Sequence, residues 1–160
     1  MESLRFEIDY SWEPFTFGGA HLTFQEHSDA RLSQDICSHW GVAVYKWEGP
    51  LTEGTNVGKV GVLIGETENL RQRIKQYISG TQKSENKYWR EQFLTRGPVR
   101  LYVLRFINGK IQMPAGSSLS LSASDLNSNN VRLVVEQLLV LKVYASAKGN
   151  LTRWIVNRKL

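Results

Sequence analysis

The sequence predicts an α/β fold: a small, mainly antiparallel central sheet flanked by helices, with an N-terminal β-hairpin extension. Three observations carry that expectation. Short apolar runs bounded by Gly and Pro recur at 41–47, 60–64 and 99–107, with the length and composition of strands. One punctuated loop, 48–59, joins the first two runs, as a hairpin would. Apolar residues then switch to helical spacing from 69 onward and again over 131–147.

The chain opens with aromatics: Phe6, Tyr10, Trp12, Phe15, Phe17 and Phe24. Gly18-Gly19 divides Phe15-Thr16-Phe17 from His21-Leu22-Thr23-Phe24, so residues 1–40 read as a hairpin-like extension on the core. Aromatics left exposed there would instead stack on nucleic-acid bases. Residues 41–47 form a strand, and 60–64 form its partner, apolar enough to be central. From Asn69, Leu70, Ile74, Tyr77 and Ile78 mark a helix, with Thr67 as its cap and Gly80 as its stop. A second helix is expected over 84–95, ended by Gly97-Pro98. The strand at 99–107 sends Arg100, Tyr102 and Leu104 to one face and Leu101, Val103 and Arg105 to the other. The serine-rich stretch 116–124 reads as a mobile loop. Asn129 or Asn130 then caps an apolar helix over 131–147, closed by Gly149, and 151–156 reads as a short final strand.

At 160 residues one domain is expected, burying about two-thirds of the surface of the unfolded chain. No apolar run approaches the ~20 residues that span a bilayer, and Met1–Phe6 lacks the pattern of a secretory signal. The lone Cys37 excludes an internal disulfide and fits a reducing cytoplasm. A net charge of +5 and a pI near 9.4 fit a polyanionic partner such as DNA. Arg71, Arg73, Lys75, Lys87 and Arg90 concentrate that charge in one central segment as candidate phosphate contacts.

One stretch points to a particular chemistry. Gly41-Val42-Ala43-Val44-Tyr45 leads through the hairpin to Leu63-Ile64-Gly65-Glu66-Thr67-Glu68-Asn69-Leu70-Arg71-Gln72-Arg73. This layout resembles the core of the GIY-YIG nucleases, over residues 41–150. The resemblance implies an endonuclease that uses Mg²⁺ or Mn²⁺ to hydrolyse DNA. It places Arg73 at the family's catalytic arginine, Glu136 at its metal-binding glutamate, and Asn150 near a further asparagine. Both motif tyrosines are replaced: Gly41-Val42-Ala43 stands at the first motif and Leu63-Ile64-Gly65 at the second. Tyr45 leaves the same strand face as Ala43, displaced ~7 Å along it. Tyr77 lies one helical turn after Arg73, where some family members carry histidine. These two are the candidate hydroxyls.

The residue types suit the reaction. An arginine fork matches phosphate oxygens and stays charged, and one glutamate holds Mg²⁺ when water and phosphate complete the shell. Glu136 also stands out on physics alone, as a carboxylate inside an apolar helix that needs a metal or a partner. The alternative is a non-cutting module of the same fold that binds nucleic acid or protein. Gly58-Lys59-Val60-Gly61 lacks the P-loop pattern. His21, His27 and His39 have no zinc-like spacing.

Overall fold

The computed structural model describes residues 3–17, 19–23, 41–51, 58–79, 99–148 and 153–155. Six strands build one sheet in the order β1 (Arg5–Pro14), β6 (Arg100–Gln112), β4 (Ala43–Pro50), β5 (Val60–Thr67) and β8 (Arg153–Ile155), with β7 (Ser118–Leu121) paired to β6. All pairings are antiparallel except β5–β8. A separate two-stranded hairpin, β2 (Thr16–Phe17) and β3 (Ala20–His21), turns at Gly19, whose φ of 79° suits glycine. It is stitched beside β6 by Phe15 N–H to Leu101 O (3.0 Å) and Leu101 N–H to Leu22 O (3.0 Å).

The expected hairpin extension is therefore present, and the chain before it does more. Phe6, Ile8, Tyr10 and Trp12 alternate inward along β1, which joins the main sheet as its edge strand. Pairing skips one residue of β6 at Asp9/Tyr10, leaving Ile107 bulged outward and exposed. Charged Arg5, Glu7, Asp9 and Glu13 face outward along this strand, and Pro14 ends it, as suits an edge.

Helices cover the two faces. On one, α1 (Leu70–Ser79) contributes Leu70, Ile74 and Tyr77 to a cluster with Tyr45, Trp47, Leu63, Leu101 and Phe15. On the other, α2 (Asn129–Ala147) sets Val135, Leu139 and Val140 against Val44, Val62, Ile64, Leu104 and Phe106. The β4 and β5 strands supply both clusters because each is buried on both faces.

Several boundaries differ from the sequence reading. Asn69, not Thr67, caps α1: its Oδ1 accepts the Gln72 N–H at 3.0 Å, while Thr67 Oγ1 accepts the Asn69 N–H at 3.1 Å. Ser128 is the N-cap residue of α2, in place of Asn129 or Asn130. The expected loop at 116–124 holds β7 instead, since Ser118 to Leu121 ladder onto Gln112 to Gly109. A capping box at Ser122 and Asp125 then closes a 3₁₀ turn, Ala123–Asn127. The expected helix at 84–95 and the stops at Gly80 and Gly149 lie outside the described residues.

Candidate functional site

Strand register creates the centre of the site. In the β4–β5 pair Tyr45 stands opposite Gly65, Val44 opposite Glu66 and Ala43 opposite Thr67. A Cβ on Gly65 would meet Tyr45 Oη at 2.5 Å and Cζ at 2.6 Å. The Tyr45 ring thus occupies the space that a side chain at 65 would fill. Gly65→Ala is expected to push the hydroxyl aside and cost ~1–3 kcal/mol of stability by overpacking. Urea unfolding checks the cost; an unchanged midpoint would refute the tight fit.

Helix α1 brings the second hydroxyl. Its period turns Leu70, Ile74 and Tyr77 inward, and Tyr77 Oη lies 3.4 Å from Tyr45 Oη, a long contact in which either group can donate. The two rings meet edge-on with centroids 6.2 Å apart, and Trp47 flanks Tyr77 at 5.7 Å. Arg73, one turn before Tyr77, is half-buried. Its Nε is fully buried and makes no hydrogen bond among the described residues.

The charges around Tyr45 complete the set. Burial, then the neighbouring Tyr77, pushes its ionisation well above the ordinary tyrosine value; Arg73 pulls it down, and Glu136 adds to the rise. Tyr45 is consequently a neutral phenol at physiological pH. Its protonated form is favoured by folding, so this stabilisation is fully present below the ordinary value near ~10 and is lost as pH rises toward the folded value. Stability measured by urea unfolding is expected to fall above pH ~10, and to fall less steeply in Tyr45→Phe. Equal slopes would contradict the burial of this hydroxyl.

Two sequence candidates, Tyr45 and Tyr77, meet on the α1 face of the sheet with Arg73 one helical turn away, whereas Glu136 stands on α2, the helix of the opposite face, and bears on Tyr45 only as the last of the charges that shift its ionisation. Glu136 is half-buried on α2, between the buried Val135 and Leu139. Arg71 and Lys75 do not join Arg73 on one basic face. Two residues turn a helix by ~200°, so they share the opposite side from Arg73. Asn150, Lys87 and Arg90 lie outside the described residues. Ala43 and Leu63, at the motif tyrosine positions, are buried core residues without hydroxyls. No group of three His, Cys, Asp or Glu side chains gathers among the described residues. The donor set thus fits a cation only as a single-carboxylate site, at Glu136, with water and phosphate supplying the other oxygens.

Arg132 was not a sequence candidate. Its side chain is fully buried, and all five guanidinium N–H groups are used. Nε donates to Glu66 Oε2 at 2.8 Å, Nη1 to the carbonyls of Leu126 (2.9 Å) and Asn127 (3.0 Å), and Nη2 to Glu68 Oε1 (3.2 Å) and Asn129 Oδ1 (3.3 Å). A basic residue within an apolar helical stripe is the signal that could have found it. No protein-family model, curated protein or solved structure matches the chain.

Proposed function

We propose that the chain is a divalent-metal-dependent DNA endonuclease of the GIY-YIG type, acting in the cytoplasm. The observation that supports this reading is the Tyr45–Tyr77 hydroxyl pair beside Gly65, with Arg73 one helical turn before Tyr77 on α1. Arg73 holds the scissile phosphate through its guanidinium, whose fork matches phosphate oxygens. Tyr45, a neutral phenol, orients the attacking water through hydrogen bonds and does not act as a phenolate base. Tyr77 fixes the Tyr45 hydroxyl. Glu136 would hold Mg²⁺ or Mn²⁺, which when bound polarises the phosphate and stabilises the leaving oxygen. Among the described residues no helix is long and apolar enough to cross a membrane.

Incubation with supercoiled plasmid tests the reading. Nicking is expected with Mg²⁺ or Mn²⁺, and Glu136→Ala is expected to slow it on the order of 100-fold or more. Plasmid left intact with both metals, or cut equally by the variant, would overturn it. A second reading, a non-cutting module that binds nucleic acid or protein, is favoured by the buried Leu63, which puts no hydroxyl at the second motif position. On that reading DNA binding is salt-sensitive, weakens on neutralising Arg71, Arg73 and Lys75, and brings no turnover.

A further inference from the structure

We infer that a pocket beside the candidate site takes one unstacked nucleotide, its base between the pocket walls and its phosphate on Arg105. The sheet is split where this pocket lies. Along β6, β4 pairs only as far as Val103 and β7 only from Gly109, so residues 104–108 have no strand on that side among the described residues. Leu101 O accepts the Phe15 N–H on the β1 side. Backbone groups alternate sides along a strand, so the N–H and C=O of Leu104 and Phe106 point into the split. A pocket of about 310 Å³ opens there. Phe15 and Val103 line it from the α1 face, and Ala123 and Leu126 line it from the 3₁₀ turn. A flat ring fits between these apolar side chains, while the backbone donors and acceptors match the mixed edge of a base. A peptide strand would need a longer run of such groups than two residues offer. Arg105 also lines the pocket, and its side chain is 70% exposed. Among the described residues only one of its five N–H groups is used, by Nη1 on Glu13 Oε1 at 3.2 Å, so most of the fork is open to a phosphate. Val103 is the register partner of Tyr45, one strand spacing of ~4.8 Å away, which puts the pocket beside the hydroxyl pair. That the nucleotide belongs to a strand held at Arg73 rests on the function proposed above; the pocket itself does not.

Deoxyadenosine 5′-monophosphate, added to the ¹⁵N-labelled full chain, tests the pocket without any strand. It is expected to shift the amide resonances of Leu104, Phe106 and Ala123. Deoxyadenosine, which lacks the phosphate, is expected to bind about 10-fold more weakly. Ala123→Trp, which fills the pocket from an exposed position, is expected to abolish the shifts in protein that circular dichroism shows to be folded. Arg105→Ala is expected to make the nucleotide bind no better than the nucleoside. A fluorescein-labelled single-stranded oligonucleotide and a duplex of equal length then separate the sources. The single strand is expected to bind the tighter, and Ala123→Trp to weaken it by about 10-fold while leaving the duplex unchanged. Unmoved amides at Leu104 and Phe106, or nucleotide binding unaffected by Ala123→Trp, would overturn the pocket. Single-strand binding indifferent to Ala123→Trp would overturn the strand as its source and assign the site to free nucleotides. Single-strand binding through the pocket by a chain that leaves plasmid intact would keep the inference and remove the nuclease reading instead.

Discussion

Arg132→Ala is expected to cost about 3–5 kcal/mol of folding stability, the range for breaking a buried ion pair from one side. The guanidinium is wholly buried, and Glu66, its closest partner, is 18% exposed. Removing the cation leaves the Glu66 carboxylate without its 2.8 Å donor and strips the carbonyls of Leu126 and Asn127 of theirs. Each orphaned polar group costs ~1–3 kcal/mol if water cannot reach it. Glu68 matters far less, because its side chain is 77% exposed and solvent replaces the lost contact. Arg132→Met refines the argument by restoring volume without charge. Paired with Glu66→Met it is expected to recover most of the loss, since a buried ion pair exchanged for apolar residues is often neutral. Urea unfolding of the three variants decides the point. A loss below ~1 kcal/mol for Arg132→Ala would mean that the network adds little to folding.

The same network shows where sequence reasoning reaches its limit. Local periodicity exposed β4, β5, β6 and both described helices, because each buries a face that its own spacing betrays. The four-residue step from Arg73 to Tyr77 likewise put the two one turn apart by helical geometry alone. Arg132 is different in kind. Its burial depends on Glu66 and Glu68, more than sixty residues earlier in the chain, and on carbonyls freed by a 3₁₀ turn. Nothing local encodes that meeting. Strand β1 was read only as aromatic residues of the hairpin-like extension, because its edge position in the main sheet is set by pairing with β6, a long-range choice. Strand β7 was hidden by its serines, which face solvent while Leu121 turns inward. The Tyr45–Gly65 contact needed the register: two strands were evident, but only their alignment puts the ring over a glycine.

Arg73→Ala is expected to separate function from stability in the opposite sense to Arg132→Ala. The two arginines differ in what they touch. Arg132 uses every donor inside the fold, whereas Arg73 buries an Nε that finds no hydrogen bond among the described residues. Such an orphan costs folding ~1–3 kcal/mol, so its removal is expected to leave stability unchanged or slightly higher despite the lost packing of the side-chain stem. Cleavage, in contrast, is expected to fall by about 10²–10³, the effect of removing one preorganised donor from a site of developing charge. Arg73→Lys is expected to recover little, because an ammonium cannot present the paired N–H groups of the fork. Plasmid cleavage and urea unfolding on the same three proteins give both axes. If Arg73→Ala cuts normally, the phosphate role is wrong. If it unfolds as readily as Arg132→Ala, Arg73 is a structural residue, and the unbonded Nε reflects packing and not a ligand to come. A stable protein that no longer cuts would assign the Arg73 guanidinium to the phosphate and not to the fold.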